Sequence, residues 1–546
     1  MLRRRIITAS LLLALLVPYA ALAQTAAPAV YTAPKDAIDK IRDEGMNRSQ
    51  VMQTLSYMTD VIGGRLTGSP NMKRANEWTR DKMKEWGMQN AHLESWGPFG
   101  RGWAVRKFSA AMVEPQFTPL ISYPRAWSPS TKGVVTSDVV YLDAKAPEDL
   151  AKYKGQLKGK IVLSSAERPL KPVEKAYLNR LSEEDLSRLA SAPQPTDDGD
   201  VIPAQALKNF TKSLNDGAKR LKFLSDEGAA VVIHNSGGGS GGTIFVDGAN
   251  VGVETPEIKT IEELFESPAF QPQNKKYEAN MLPQITMATE DYNRLVRMIK
   301  LGAKPKMSVE IDSQYYDEDP NGYNTIAEIP GTDPKLKDEV VMLGAHLDSW
   351  HSGTGATDNG AGSAAVMEAA RIIQASGLKP RRTIRVALWS GEEQGLYGST
   401  NYVKQHFGEK RNGTIVKGRD YDKLSAYYNL DNGTGKIRGV YMQGNPNVRP
   451  FFETWLAPFA DAGAKTLTLS NTGGTDHLPF DAIGLPGFQF IQDPVEYNTR
   501  THHSNQDNFD RIQADDMKQA ATIIAAFVYQ TAMMDEKLPK KSRPLP

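Results

Sequence analysis

From Tyr323 onward, short apolar runs alternate with longer amphipathic stretches, and this alternation limits the possible fold more than any other feature. Runs at 339–344, 383–389, 426–430 and 487–491 have the length and the branched or aromatic content of buried strands. Stretches at 362–376, 397–406, 450–462 and 515–533 have helical length and spacing. Strands alternating with helices predict an α/β sheet with helices on both faces. Ligands of open α/β sheets gather beyond the carboxyl ends of the strands, so chemistry is expected in the residues that follow each run.

Acids and histidines occupy those places. His346 and Asp348 follow the first run, and Asp358 lies in the glycine-rich segment Gly355-Ala356-Thr357-Asp358-Asn359-Gly360-Ala361-Gly362. Glu392 and Glu393 follow the second run, Asp431 the third, and His503 sits in a polar loop after the fourth. Each is ordinary alone. Asp358 reads equally as a helix N-cap, Glu392-Glu393 as a solvated charge pair, Asp431 as an Asx turn and His503 as a surface histidine. As a set, two imidazoles, three carboxylates and one spare carboxylate match a two-zinc hydrolase, in which one carboxylate bridges and each metal takes one histidine and one further acid. His346 is assigned to a metal and Asp348 to holding its ring. Glycines beside Asp358 allow the tight turns that a bridging carboxylate needs. Adjacent carboxylates on an irregular turn point in different directions, so Glu393 is given to metal and Glu392 to proton transfer.

The chain has no cysteine, which removes disulfides, thiolate ligands and cysteine nucleophiles together. Any metal must rest on nitrogen and oxygen. The 65 basic and 64 acidic residues nearly cancel, and no long basic cluster lies outside the two ends, which argues against nucleic acid as a partner. Met1-Leu2-Arg3-Arg4-Arg5, an apolar stretch and Ala21-Leu22-Ala23 before Gln24 read as a signal peptide, residues 1–23. The mature chain is therefore expected to be exported, periplasmic or secreted, with no membrane span after cleavage. Residues 24–35, rich in Ala, Pro and Thr, are expected to form a disordered leader. Helical patterning follows within 36–127, with a turn-rich loop at 63–70. Residues 128–311 read as an inserted module, with strands near 139–142, 160–163, 229–233 and 282–287 and helices at 217–227 and 289–301. Within it, 166–203 is charged and proline-dotted, as a surface excursion would be. This block has no plausible metal constellation. Residues 312–536 carry the candidate site, and 537–546 are expected to be a flexible tail.

The segments Gly344-Ala345-His346-Leu347-Asp348, Ala356-Thr357-Asp358-Asn359-Gly360-Ala361-Gly362, Ser390-Gly391-Glu392-Glu393-Gln394-Gly395-Leu396-Tyr397-Gly398-Ser399, Asn429-Leu430-Asp431 and His503-Ser504-Asn505-Gln506-Asp507 resemble those of the co-catalytic zinc exopeptidases. That family includes bacterial zinc aminopeptidases and plasma glutamate carboxypeptidase. The resemblance spans nearly the whole mature chain, and the block at 128–311 is similar to the protease-associated insert of several members. It implies a mixed central sheet with helices on both faces, forming a peptidase domain from 36–127 and 312–536, plus an inserted β-rich α+β domain. It implies two zinc ions, one on His346 and Asp431 and one on Glu393 and His503, with Asp358 bridging. Glu392 would be the general base and acid, with Asp348 beside it in the catalytic set. The run Gly474-Thr475-Asp476-His477-Leu478-Pro479-Phe480 resembles a family landmark at the substrate end, which makes Asp476, His477 and His502 candidates for substrate binding. In one departure, several members carry an aromatic hydroxyl just before the last histidine, where this chain has His502. The His-His-Ser run is nearest to the plasma glutamate carboxypeptidase branch.

The implied reaction is hydrolysis of terminal peptide bonds in short peptides or dipeptides, by a chain free to form a homodimer. Three rivals stand beside it: a serine hydrolase using Ser240 in Gly238-Gly239-Ser240-Gly241-Gly242, a non-catalytic receptor of the same fold, and a single-zinc cyclase acting on N-terminal glutamine.

Overall fold

Every position of the strand Val340–His346 is buried, and its alternation feeds two cores. Val341, Leu343 and Ala345 join one cluster, while Val340 and Met342 join another. A strand covered on both faces is the mark of a sheet between helical layers. In this computed structural model, which describes residues 30–195 and 203–541, the helices Ala361–Ala375 and Ala514–Met533 supply the first cluster and Tyr397–His406 helps to supply the second. The fold is therefore α/β, as expected.

The first sheet has eight strands in the order Gln89–Trp96, Gly322–Ile329, Thr383–Trp389, Val340–His346, Leu424–Asn429, Gly487–Gln492, Ile437–Tyr441, Thr466–Thr468. The four strands from Thr383–Trp389 to Gly487–Gln492 run parallel, with antiparallel neighbours on either side. Their carboxyl ends lie along one edge. The polar strand Gln89–Trp96 escaped the sequence reading because only Trp96 in it is buried.

A second eight-stranded sheet forms the inserted layer, and its limits differ from the expected 128–311. Gly102–Glu114, Thr118–Pro119 and Ser122–Pro124 belong to it, as does Lys306–Tyr316. Gly102–Glu114 pairs with Lys306–Tyr316 along almost its whole length, so the layer begins and ends on one antiparallel ladder. That long-range pairing has no signature in composition. The helix expected at 217–227 runs from Ala204 to Asp226. Ser240 lies in a turn-rich loop, without the strand-to-helix elbow that a serine nucleophile needs.

Both chain ends depart from expectation. The predicted signal peptide lies outside the described residues, but Ala33 of the leader is buried, and its N–H donates to Gln530 Oε1 at 3.2 Å. Trp455 Nε1 donates to the Tyr31 carbonyl at 2.9 Å. At the other end Leu538 is 2% exposed, Lys541 pairs with Asp481, and Asn445 donates to the Pro539 carbonyl at 2.8 Å. The chain up to Lys541 is docked rather than loose, because one apolar side chain and a few polar contacts anchor a short segment that its composition marks as tail. No helix among the described residues is long and apolar enough to cross a membrane.

Truncating Leu538 to Ala removes a fully covered side chain from this docked segment, a change that costs about 2–5 kcal/mol in packed sites. A lowered thermal or denaturant midpoint is expected. An unchanged midpoint would show that the segment is not held.

Candidate active site

The site grows from the carboxyl ends of the parallel strands. His346 is the last residue of its strand and is fully buried. Its Nδ1 lies 3.0 Å from the Asp348 carbonyl, which can only accept, so Nδ1 carries the proton. The Nε2 lone pair is left facing Asp358 Oδ1 at 3.2 Å and Asp431 Oδ1 at 3.5 Å, the arrangement in which an imidazole holds a metal. His503 Nε2 lies 3.3 Å from the other oxygen of Asp358 and 2.9 Å from Glu393 Oε2. Asp358 thus turns one oxygen to each imidazole. Two nitrogen-and-carboxylate sets share it, the pattern expected of a bridging ligand.

Glycine makes the convergence possible at two places. Gly355 adopts a φ of +64°, and a Cβ there would lie 2.3 Å from Ser349 Oγ. A Cβ on Gly362 would lie 2.3 Å from the Leu430 carbonyl. The segment carrying Asp358 therefore presses directly on the strand end carrying Asp431, and Asn359 Nδ2 seals the contact by donating to Leu430 O at 2.9 Å.

Glu392 and Glu393 are separated by their surroundings. The Glu393 side chain is 1% exposed and close to His503, whereas Glu392 is 10% exposed and 3.9 Å from His346 Nε2. Proximity alone also groups Glu392 with His346 and Asp431, and His502 with Asp358 and His503. Burial, and then the neighbouring carboxylates, push both glutamates well above the ordinary carboxylate range. His346 Nε2, Asp358 Oδ2 and both oxygens of Glu393 are buried without hydrogen-bond partners. Buried polar atoms are normally satisfied, and here the unsatisfied ones are imidazole and carboxylate atoms of the candidate metal ligands, turned toward one another. A cation fits these donors, and an all-nitrogen-and-oxygen set suits zinc.

Asp348 does more than hold a ring. Its carboxylate accepts from Thr67 Oγ1 at 2.8 Å and from the Glu392 and Glu393 backbone N–H groups, both at 3.3 Å. Three residues escaped the sequence reading. Arg65 is fully buried and donates to the carbonyls of Leu347, Thr354 and Gly355 at 2.6–2.7 Å. Burial lowers its guanidinium to about 10 against the pull of Asp507, Asp348, Asp358 and Glu393. Asp507 accepts from the backbone N–H groups of Thr357 and Asp358; burial, and then the Asp358 charge, push it up to about 7. Tyr497 lines the cavity and packs against His502, with ring centroids 4.8 Å apart. Arg65 lies in what reads as a plain turn, so only its contacts expose its role.

The cavity above these residues has a volume of about 960 Å³. His502 lines it, with a half-exposed side chain stacked on His503 at 3.8 Å. Asp476 and His477 do not line it, which corrects their reading as substrate-binding residues. Asp476 is buried, accepts from Ser399 Oγ at 2.5 Å and is pushed up to about 7, first of all by burial. His477 faces the Thr472 carbonyl at 3.0 Å and is lowered to about 4 by burial. The turn before the helix Leu478–Ala482 directs both side chains under the cavity floor, while Gly473, Gly474 and Leu478 reach its surface.

Residues 324–528 match Peptidase family M28. Over 507 residues the chain is 26% identical to Carboxypeptidase Q of Mus musculus, covering 92% of this chain and 90% of that protein. The crystal structure of a Peptidase M28 precursor from Shewanella amazonensis SB2B shares the fold at a TM-score of 0.59 and 23% identity, over 94% of this chain and 98% of that one. A zinc aminopeptidase from Bacillus subtilis is similar at a TM-score of 0.51 and 18% identity, over 90% and 95%.

The separation of the two glutamates predicts distinct metal contents. After dialysis, His346→Ala, His503→Ala and Glu393→Gln proteins should have lost zinc by elemental analysis, with Glu392→Gln near the wild-type level. Loss in Glu392→Gln but not in Glu393→Gln would exchange their roles.

Proposed function

We propose that this chain, whose residues 324–528 match peptidase family M28, is a metallopeptidase of exopeptidase type that removes terminal residues from short peptides using two zinc ions. The observation that carries this reading is Asp358, whose two oxygens face two separate imidazoles, each with its own further acid. His346 and Asp431 would hold one zinc, Glu393 and His503 the other, and Asp358 both. When bound, the metals supply Lewis acidity to a water and to the scissile carbonyl.

The protein's own groups carry the proton. Glu392 is the carboxylate beside the cluster with the most exposure to the cavity, so it takes the proton of the attacking water and returns it to the leaving nitrogen. Burial among carboxylates raises its basicity, which suits that double role. Asp348 fixes the His346 ring through its backbone carbonyl and grips the backbone of the glutamate pair through its carboxylate, so one residue sets the distance between base and ligands.

Short substrates follow from the walls. The inserted layer contributes Leu214, Val253, Leu264, Phe265 and Phe270 to the cavity. Carbons of the Phe265 side chain lie 3.0–3.2 Å from where a side chain on Gly395 would begin. An aromatic ring thus rests on the loop of the base, two residues past Glu393, and leaves little room for a long chain. The apolar lining favours apolar residues in the substrate. Export through the signal peptide at 1–23 completes the proposal.

Chelation should abolish hydrolysis of short apolar peptides, and added zinc should restore it; full activity in metal-free protein would end the reading. With its zinc retained, Glu392→Gln should turn over roughly 100-fold or more slowly, the scale of general acid–base catalysis. Dipeptides should be cleaved in preference to casein, and equal rates on both would show that the inserted layer does not restrict length.

A further inference from the structure

Recognition of a peptide terminus needs a charge of the right sign that is not already committed. The acids lining the cavity are Asp247, Asp358, Glu392, Glu393 and Asp431. Four belong to the metal and base set, and Asp247 Oδ2 lies 3.1 Å from Arg125 Nη2. No lining acid is left over for a substrate ammonium group. Arg125, by contrast, is the permanent cation among the lining residues. Its Nε donates to the Gly248 carbonyl at 2.8 Å, and among the described residues Nη1 has no acceptor, so one side of the guanidinium fork is available.

The backbone ties this arginine to the metal-ligand loop. Val246 N–H donates to the His503 carbonyl at 3.1 Å, Ala126 N–H to the Asp247 carbonyl at 3.1 Å, and Ala249 N–H to the Ala126 carbonyl at 2.8 Å. Arg125 is therefore held beside a strip whose first contact is His503 itself. Val246 and Asp247 are adjacent in the chain, so the guanidinium stands on the order of 10 Å or less from the His503 loop, the span of an extended di- or tripeptide.

We propose that Arg125, oriented by Asp247 and the Gly248 carbonyl, binds the free C-terminal carboxylate of the substrate and makes the enzyme selective for unblocked di- and tripeptides. The proposal rests on the exopeptidase reading above and adds the end at which the substrate is recognised. A guanidinium presents two parallel donors to a carboxylate, which a C-terminal amide cannot match in charge.

The test compares kcat/KM for Leu-Leu and for its C-terminal amide on the zinc-loaded enzyme. Wild type should favour the free acid by about 10- to 100-fold, the worth of a hydrogen bond to a charged group. In Arg125→Gln the acid-to-amide ratio should fall toward one, chiefly through a higher KM for the acid, and Arg125→Lys should recover part of it. Binding of Leu-Leu to Glu392→Gln by calorimetry gives a readout free of turnover, and there too the acid should outbind the amide. Equal handling of acid and amide by wild type, or equal losses on both in Arg125→Gln, would overturn the role of Arg125 and leave the exopeptidase intact. Failure to cleave either compound with zinc bound would instead remove the exopeptidase reading.

Discussion

Asp358 has two oxygens, each facing a different imidazole, and the rest of the structure keeps that arrangement in place. The cluster around it holds five carboxylates, those of Asp348, Asp358, Glu392, Glu393 and Asp431, each at most 10% exposed. Burial of ionised carboxylates is costly unless each meets a counter-charge or a set of donors. Asp348 meets donors, from Thr67 and two backbone amides. The others turn toward a shared centre, and burial and mutual repulsion together push Glu392 and Glu393 up. Divalent cations resolve that conflict where protons would otherwise do so. The fold and the metal requirement are thus one electrostatic problem: parallel strands bring the acids together, and only a cation lets them stay charged.

Support comes from behind as well. Arg65 holds three carbonyls between the His346 strand end and the Asp358 segment, and its charge faces Asp507, Asp348, Asp358 and Glu393 from outside the cluster. Its buried guanidinium would be expensive alone and is tolerated because that field offsets part of the desolvation. Asp431 is steadied differently. Trp389 Nε1 donates to Tyr427 Oη at 2.6 Å, Tyr427 Oη donates to Asn429 Oδ1, and Asn429 Nδ2 donates to Gln489 Oε1 at 3.1 Å. Gln489 Nε2 then donates to the Asp431 carbonyl at 2.6 Å. This chain of donors links the strands Thr383–Trp389, Leu424–Asn429 and Gly487–Gln492, with Val340–His346 lying between the first two, so the register of the sheet itself fixes where Asp431 stands.

The parts of this design that were legible in the sequence are those written in local patterns. Apolar runs with strand length, ended by His346, Glu392-Glu393 and Asp431, gave both the parallel strands and the residues at their ends, since the carboxyl-end rule links the two. What was hidden depends on distant pairing. Nothing in Gly102–Glu114 announces that it ladders with Lys306–Tyr316 two hundred residues later, so the inserted layer was read as starting too late and ending too early. Arg65 reads as a turn residue until its three carbonyls are seen. Asp476 and His477 show the opposite error: a motif near the site was taken for lining, but the turn before Leu478 carries both side chains beneath the floor. Sequence spacing reports which residues are near a strand end. It does not report which way a short turn points them.

The inserted layer changes what the metal centre can be used for. On its own, the strand-end cluster is a general apparatus for amide hydrolysis, with no feature that measures chain length. The layer adds an apolar wall through Leu214, Val253, Leu264, Phe265 and Phe270, and a cation through Arg125. Its attachment is not loose: Val246 and Ile244 bond to residues of the His503 loop, and Phe265 packs on Gly395 beside the glutamate pair. A movement of the layer would therefore disturb His503 and the loop of Glu392 and Glu393 together. Selectivity and chemistry share one set of contacts, and the apolar wall gains value from this: beside low-dielectric side chains each charge interaction in the cluster is stronger than it would be in open water.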